Sequence, residues 1–157
     1  MGDANTSFVA QDTLRRIFTG DIDVDTDTIA AALVGTSFDG DPENLTLDGV
    51  TTLDEIEATN YVTGHSGAGR KDLSITITTD DTNNQIEIDA TNLTWSSLGG
   101  TTNDTVAGIL YFKQGASDDT TAYMLGYASL TCTNTNGSDF TVQFDAEGIM
   151  KVTDATP

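Results

Sequence analysis

Apolar residues in this chain recur at two spacings, and the change from one to the other divides it. Near the start, Leu14, Ile17 and Phe18 stand at i, i+3 and i+4, with Arg15 and Arg16 to the side. That spacing predicts a short helix over residues 10–19, closed by Gly20, which accepts the left-handed turn at a helix C-terminus. Residues 1–9 are mostly small and polar and read as a flexible arm. The run Ile29-Ala30-Ala31-Ala32-Leu33-Val34 is unbroken and ends at Gly35. Helix and strand both fit it; its shortness and the β character of the rest of the chain favour a buried strand. Residues 39–48 read as an acidic loop. Residues 52–56 read as one helical turn, with Thr52 as N-cap and Glu55 three residues on.

From Arg70 the period is two. Leu73, Ile75 and Ile77 alternate with Asp72, Ser74, Thr76 and Thr78, as in a strand with one wet face. The cluster Asp80-Asp81-Thr82-Asn83-Asn84 turns the chain into a second alternating run, Ile86, Ile88 and Ala90, so a hairpin is expected. The phase slips before Leu93 and Trp95, which predicts a bulge or bend near Thr91-Asn92. Residues 106–112 are apolar apart from Gly108, the mark of a strand covered on both faces. Residues 123–130, Phe140/Val142/Phe144 and residues 149–152 supply three more strands. The expected fold is a single mainly-β domain over residues 10–157. It is an antiparallel sandwich or barrel of about seven or eight short strands with one short N-terminal helix.

Charge narrows the function. Twenty-five acids against six bases give a formal charge of -19, which repels phosphate backbones and anionic lipid. Neither nucleic acid nor membrane is an expected partner. No apolar run approaches the roughly 20 residues needed to cross a bilayer. Residues 1–5 carry no basic region followed by an apolar stretch, so synthesis in a cytoplasm is expected. One His and one Cys leave little for a transition-metal site or a nucleophile–base pair, and no enzyme activity is expected. Cys132 has no internal partner and reads as an inert core residue.

Several local patterns invite sharper readings. Gly64-His65-Ser66-Gly67-Ala68-Gly69-Arg70-Lys71 approaches a phosphate-binding loop, but Arg70 follows the last Gly where Lys belongs and Asp72 stands where Ser or Thr belongs. A strand pattern comes next, without the helix such a loop requires. His65-Ser66-Gly67 echoes a nucleophile elbow, yet the only His is the neighbour of the Ser and cannot easily serve it. The plainer reading is a glycine-rich turn into the next strand.

Asp21, Asp23 and Asp25, with Asp39 and Asp41, are candidate calcium ligands. The EF-hand pattern fails at Thr26 and Ala32, and a solvated acidic edge that blocks strand pairing is the plainer reading. No cofactor is expected; calcium is the one alternative those acids keep open. Trp95, Tyr111, Tyr123 and Tyr127 could form a sugar-binding face, but at strand spacing such residues more often fill a core or interface.

The order of these segments resembles a family of small virion proteins of tailed bacteriophages. The likeness runs through Leu14-Arg15-Arg16-Ile17-Phe18-Thr19-Gly20, the Ile29 to Val34 run, Leu53-Asp54-Glu55-Ile56 and Asn60-Tyr61-Val62-Thr63-Gly64. It continues through the Ile86 to Ala90 strand, Leu93-Thr94-Trp95, Ile109-Leu110-Tyr111, Phe140-Thr141-Val142 and Glu147-Gly148-Ile149. The resemblance implies a homo-oligomeric capsid decoration, or cement, protein on the virion surface. Its partners would be the major capsid protein and copies of itself. Leu14, Arg15, Arg16 and Phe18 would form the shell-contacting end, since isolated bases on an acidic protein can pair with acidic patches. The alternatives are a tail-tube or connector component, or a carbohydrate- or cation-binding β-module.

Overall fold

The computed structural model describes residues 7–144 and 148–153. In chain order its elements begin with β1 (Phe8–Val9), α1 (Thr13–Thr19), β2 (Ile29–Val34) and β3 (Lys71–Asp72). Then come β4 (Ile75–Asp80), β5 (Gln85–Ala90), β6 (Leu93–Leu98) and β7 (Thr105–Lys113). The chain ends with β8 (Tyr123–Asn134), β9 (Ser138–Val142) and β10 (Met150–Thr153). The fold is mainly β, in sandwich-like antiparallel sheets that do not close into a barrel.

The central sheet runs β1-β8-β7-β2-β3. Unbroken apolar strands belong in its middle because both their faces meet protein. All six residues of β2 are buried, and they divide by alternation between two cores. Ile29, Ala31 and Leu33 face the core closed by the β10-β5-β4 sheet and the β6-β9 pair. Ala30, Ala32 and Val34 face the second core, where Phe38, Leu47 and Val50 from the loop after β2 form the cover. The alanines keep β2 slim enough for both layers to approach. Fully buried Leu33, Ile109 and Phe112 each contribute about 1.5–3 kcal/mol by leaving water.

A bulge in β8 keeps its alternation in step with these cores. Tyr111 pairs with Gly126 and Phe112 with Met124, so Leu125 is the extra residue. Met124 and Tyr127 thereby share the second core while Leu125 enters the first. The two strands beyond the expected eight, β1 and β3, are two residues long and lie at the sheet edges.

Several expectations are corrected. The arm over residues 1–9 lies outside the described residues up to residue 6, while Phe8 and Val9 pair with Tyr127 and Gly126. Residues 52–56 are not helical: Asp54 takes a left-handed φ of 47°, and Glu55 bridges Val34. A 3-10 turn forms instead at Leu47–Gly49. The phase slip after Ala90 is accounted for by the second of the expected alternatives, a bend and not a bulge. It is the point where the chain leaves one sheet for another, β5 pairing with β4 and β10, and β6 with β9. Cys132, expected in the core, is exposed on the far end of β8. The helix starts at Thr13, and its buried residue is Thr13, while Leu14 and Phe18 face solvent.

Candidate functional site

The N-terminal helix is pinned where β8 bulges. The Thr13 hydroxyl points at the carbonyl oxygens of Leu125 (3.0 Å) and Met124 (3.3 Å), and the Ala10 amide donates to Leu125. Gly20, at φ 78°, ends the helix and returns its amide to Ile17. The Arg16 guanidinium stacks 3.9 Å from the Tyr123 ring centroid. Arg16 Nε also lies 2.9 Å from Asp12 Oδ2, as an ion pair without hydrogen-bond alignment. Arg15 grips both Asp12 oxygens, Nη2 at 2.6 Å, and this contact holds the Asp12 carboxyl below the usual carboxylate range. Both bases thus have partners within the chain. Phe18 is 82% exposed, with exposed Leu14 on the same helix.

The glycine-rich segment is a lid over a buried ion cluster that sequence patterning does not reveal. Arg70 Nε and Nη2 form one fork on Glu55, with Nη2 at 2.9 Å from Oε2. Nη1 and Nη2 form the other on Asp119, at 2.6 and 2.9 Å. The side chains of Arg70 and Glu55 are only 3% and 6% exposed. Glu55 also accepts from the Tyr61 hydroxyl (3.1 Å) and the Gly64 amide (3.1 Å). The Tyr61 oxygen in turn accepts the Leu33 amide of β2 at 3.0 Å. Burial, then the Glu55 charge, pushes the Tyr61 hydroxyl far above its ordinary pKa. Burial opposes the Arg70 charge, but the hydrogen bonds to Asp119 and Glu55 outweigh it and leave the pKa raised.

This arrangement disposes of a phosphate cradle. Both guanidinium forks are filled by carboxylates. The Gly67, Gly69 and Arg70 amides donate to Gly64, Val62 and Gly67 carbonyls, so they are turned inward. The chain enters β3, not a helix. Gly69 must be glycine because a β-carbon there would stand 2.5 Å from the Tyr61 ring. Its carbonyl accepts the Trp95 indole N–H at 2.6 Å. His65 Nδ1 is held 3.2 Å from Gln114 Nε2, away from service to Ser66. The one sequence signal for the cluster is Arg70 itself, a rare base between a glycine loop and a strand.

Comparison with protein-family models, curated proteins and solved structures finds no match to this chain.

The acidic residues considered as calcium ligands are engaged in local turns and ion pairs. The Asp21 side chain lies beside Thr19 and within 3.9 Å of Arg15. The Asp23 carboxylate accepts the Asp25 amide, and Asp27 accepts the Asp23 amide while pairing with Lys113 at 2.8 Å. The alternating segment is therefore a series of turns that tuck Ile22 and Val24 inside. Asp39 accepts the Thr52 amide and Asp41 the Glu43 amide. Among the described residues no three His, Cys, Asp or Glu side chains are placed to hold a metal ion. Trp95, Tyr111 and Tyr127 are buried and Tyr123 lies under Arg16, so they form no exposed sugar platform. An apolar cavity of about 220 Å³ between β8 and the β5/β10 strands is lined by Phe8, Tyr111, Leu125, Ile149 and Met150 among others. Its described lining is apolar apart from Ser7, Tyr111 and Tyr127.

Proposed function

We propose that the protein is a non-enzymatic virion structural component, a decoration protein that binds the major capsid protein of a tailed-phage head. The observation that carries this reading is Phe18. A phenyl ring 82% exposed on a helix pinned by Thr13, Arg16 and Gly20 is an anchor held out for another molecule. Arg15 and Arg16, on the same helix, are already paired with Asp12. The reading is supported further by the Arg70 guanidinium, whose two forks are both occupied by carboxylates of the chain itself. Such a protein adds buried contact across a pressurised shell. Stable contacts of this kind bury on the order of 1,600 Å², and many copies would combine weak contacts through avidity.

The test uses purified protein and genome-expanded capsids lacking it. Binding should raise the temperature at which the particles lose DNA, and Phe18→Ala should weaken binding by at least about tenfold, the loss of a hot-spot contact. No binding, together with unchanged particle stability on deletion, would sink the reading. Rings or tubes formed by the chain alone would move it to the tail.

A further inference from the structure

The hairpin of β4 and β5 carries an apolar face farther than the core needs. Residues paired across an antiparallel sheet share a face. Ile77 pairs with Ile88, Thr79 with Ile86, and Val152 of β10 with Ile86. Along this face Ile88 and Ala90 are buried in the first core, whereas Ile77 and Ile86 are 44% and 46% exposed. An apolar surface continuous with the core thus emerges into solvent. The opposite face of the same strands presents Thr76, Thr78, Glu87 and Asp89.

The edge beside this face is open. β4 is the terminal strand of its sheet, and no described strand pairs with its outer side. Exposed edges are ordinarily blunted by proline, lysine or an inward-pointing charge. The sequence Ile75-Thr76-Ile77-Thr78-Thr79-Asp80 carries none of these, and its one charge stands at the tip. It is rich in β-branched residues, which favour pairing.

Charge selects the occupant. Two copies paired through β4 would bring together two chains that each carry a formal charge of -19, with the acids of β5 lying behind each paired edge. The chain has no spare cations to offset this. Arg15, Arg16, Arg70 and Lys113 are in ion pairs, Lys71 lies over the Trp95 ring, and Lys151 stands opposite Glu87 in the sheet register. We infer that β4 accepts an extended segment of a different protein in which basic and aliphatic side chains alternate. Its aliphatic residues would pack beside Ile77 and its basic ones would reach toward Glu87 and Asp89. Strand period makes the two demands compatible in one segment. This surface belongs to a different sheet from the one that holds α1, and the inference does not depend on the virion reading.

The probe is a capped octapeptide of alternating Lys and Val, titrated by fluorescence anisotropy against the full chain. An octapeptide of alternating Lys and Ser has the same charge and no apolar face. The Lys–Val peptide should bind at least tenfold more tightly than Lys–Ser. Ile77→Lys, which places a charge on the inner face of the edge, should remove that advantage, and Glu87→Gln should weaken binding severalfold. Ile77→Ser gives the same reading without an added charge if the lysine variant melts early. Equal binding of the two peptides overturns the inference, as does Lys–Val binding that Ile77→Lys and Ile77→Ser leave intact. Self-association abolished by Ile77→Ser, with no peptide binding, overturns it in favour of a second copy.

Discussion

Arg70 shows how one side chain can hold three separate stretches together. Its two forks join Glu55, in the loop between β2 and β3, to Asp119, in the turn between β7 and β8. Removing a single member of a buried ion cluster leaves the others unpaired away from water, which is far costlier than losing a surface pair. Arg70→Met should therefore lower unfolding stability by about 3–5 kcal/mol in urea titrations. Asp119 is 25% exposed, so water can take over part of its role. Asp119→Asn should cost only about 1 kcal/mol. Equal losses for the two substitutions would mean that the cluster is not organised around the Glu55 fork.

At the scale of elements, α1 is held by docking and not by its own propensity. Seven residues are too few for a stable isolated helix. The helix lacks a side-chain cap at Asp12, whose carboxylate is engaged by Arg15 and Arg16. What fixes it is the bulge of β8, whose carbonyl oxygens meet the Thr13 hydroxyl. Thr13→Val keeps the shape of that buried side chain and removes the donor. It should cost about 1 kcal/mol of stability in urea titrations. Because Phe18 depends on that docking for its position, the same variant should also weaken the capsid binding we propose, although Thr13 itself is buried. Unchanged binding would detach Phe18 from the helix geometry.

For the whole molecule, the charge of -19 is a surface property whose members also shape local structure. Asp12, Asp23, Asp80 and Asp118 all titrate below the usual carboxylate range, held there first by Arg15, Thr26, Asn83 and Thr120 respectively. A depressed folded pKa means that the unfolded chain takes up protons first as pH falls. The stabilisation is complete above the ordinary carboxylate pKa near 4 and is lost as pH drops through the lower folded values. The melting temperature should accordingly fall below about pH 4 in a calorimetric series. Salt near 0.15 M screens the opposing relief of repulsion among exposed acids. Asp80→Asn should flatten part of that fall. An unchanged slope would show that these turn-capping carboxylates do not set acid stability.

Alternation and apolar runs were sufficient for the mainly-β class, the β4–β5 hairpin, the buried β2 and β7 strands and the Gly20 stop. Those features depend on which face of a local segment is apolar, a property written along the chain itself. The sequence also determined the acidic skin, because charge is a sum over residues. Tertiary structure alone decided what lies across from what. It made the slip after Ala90 a change of sheet, replaced a helical turn at residues 52–56 with a bridge from Glu55 to Val34, and left Cys132 in water beyond the covered part of β8. It brought Arg70, Glu55 and Asp119 together from far-apart positions, and it left Ile77 outside the core that its apolar patterning suggested. Periodicity names an apolar face; only packing says whether that face is covered.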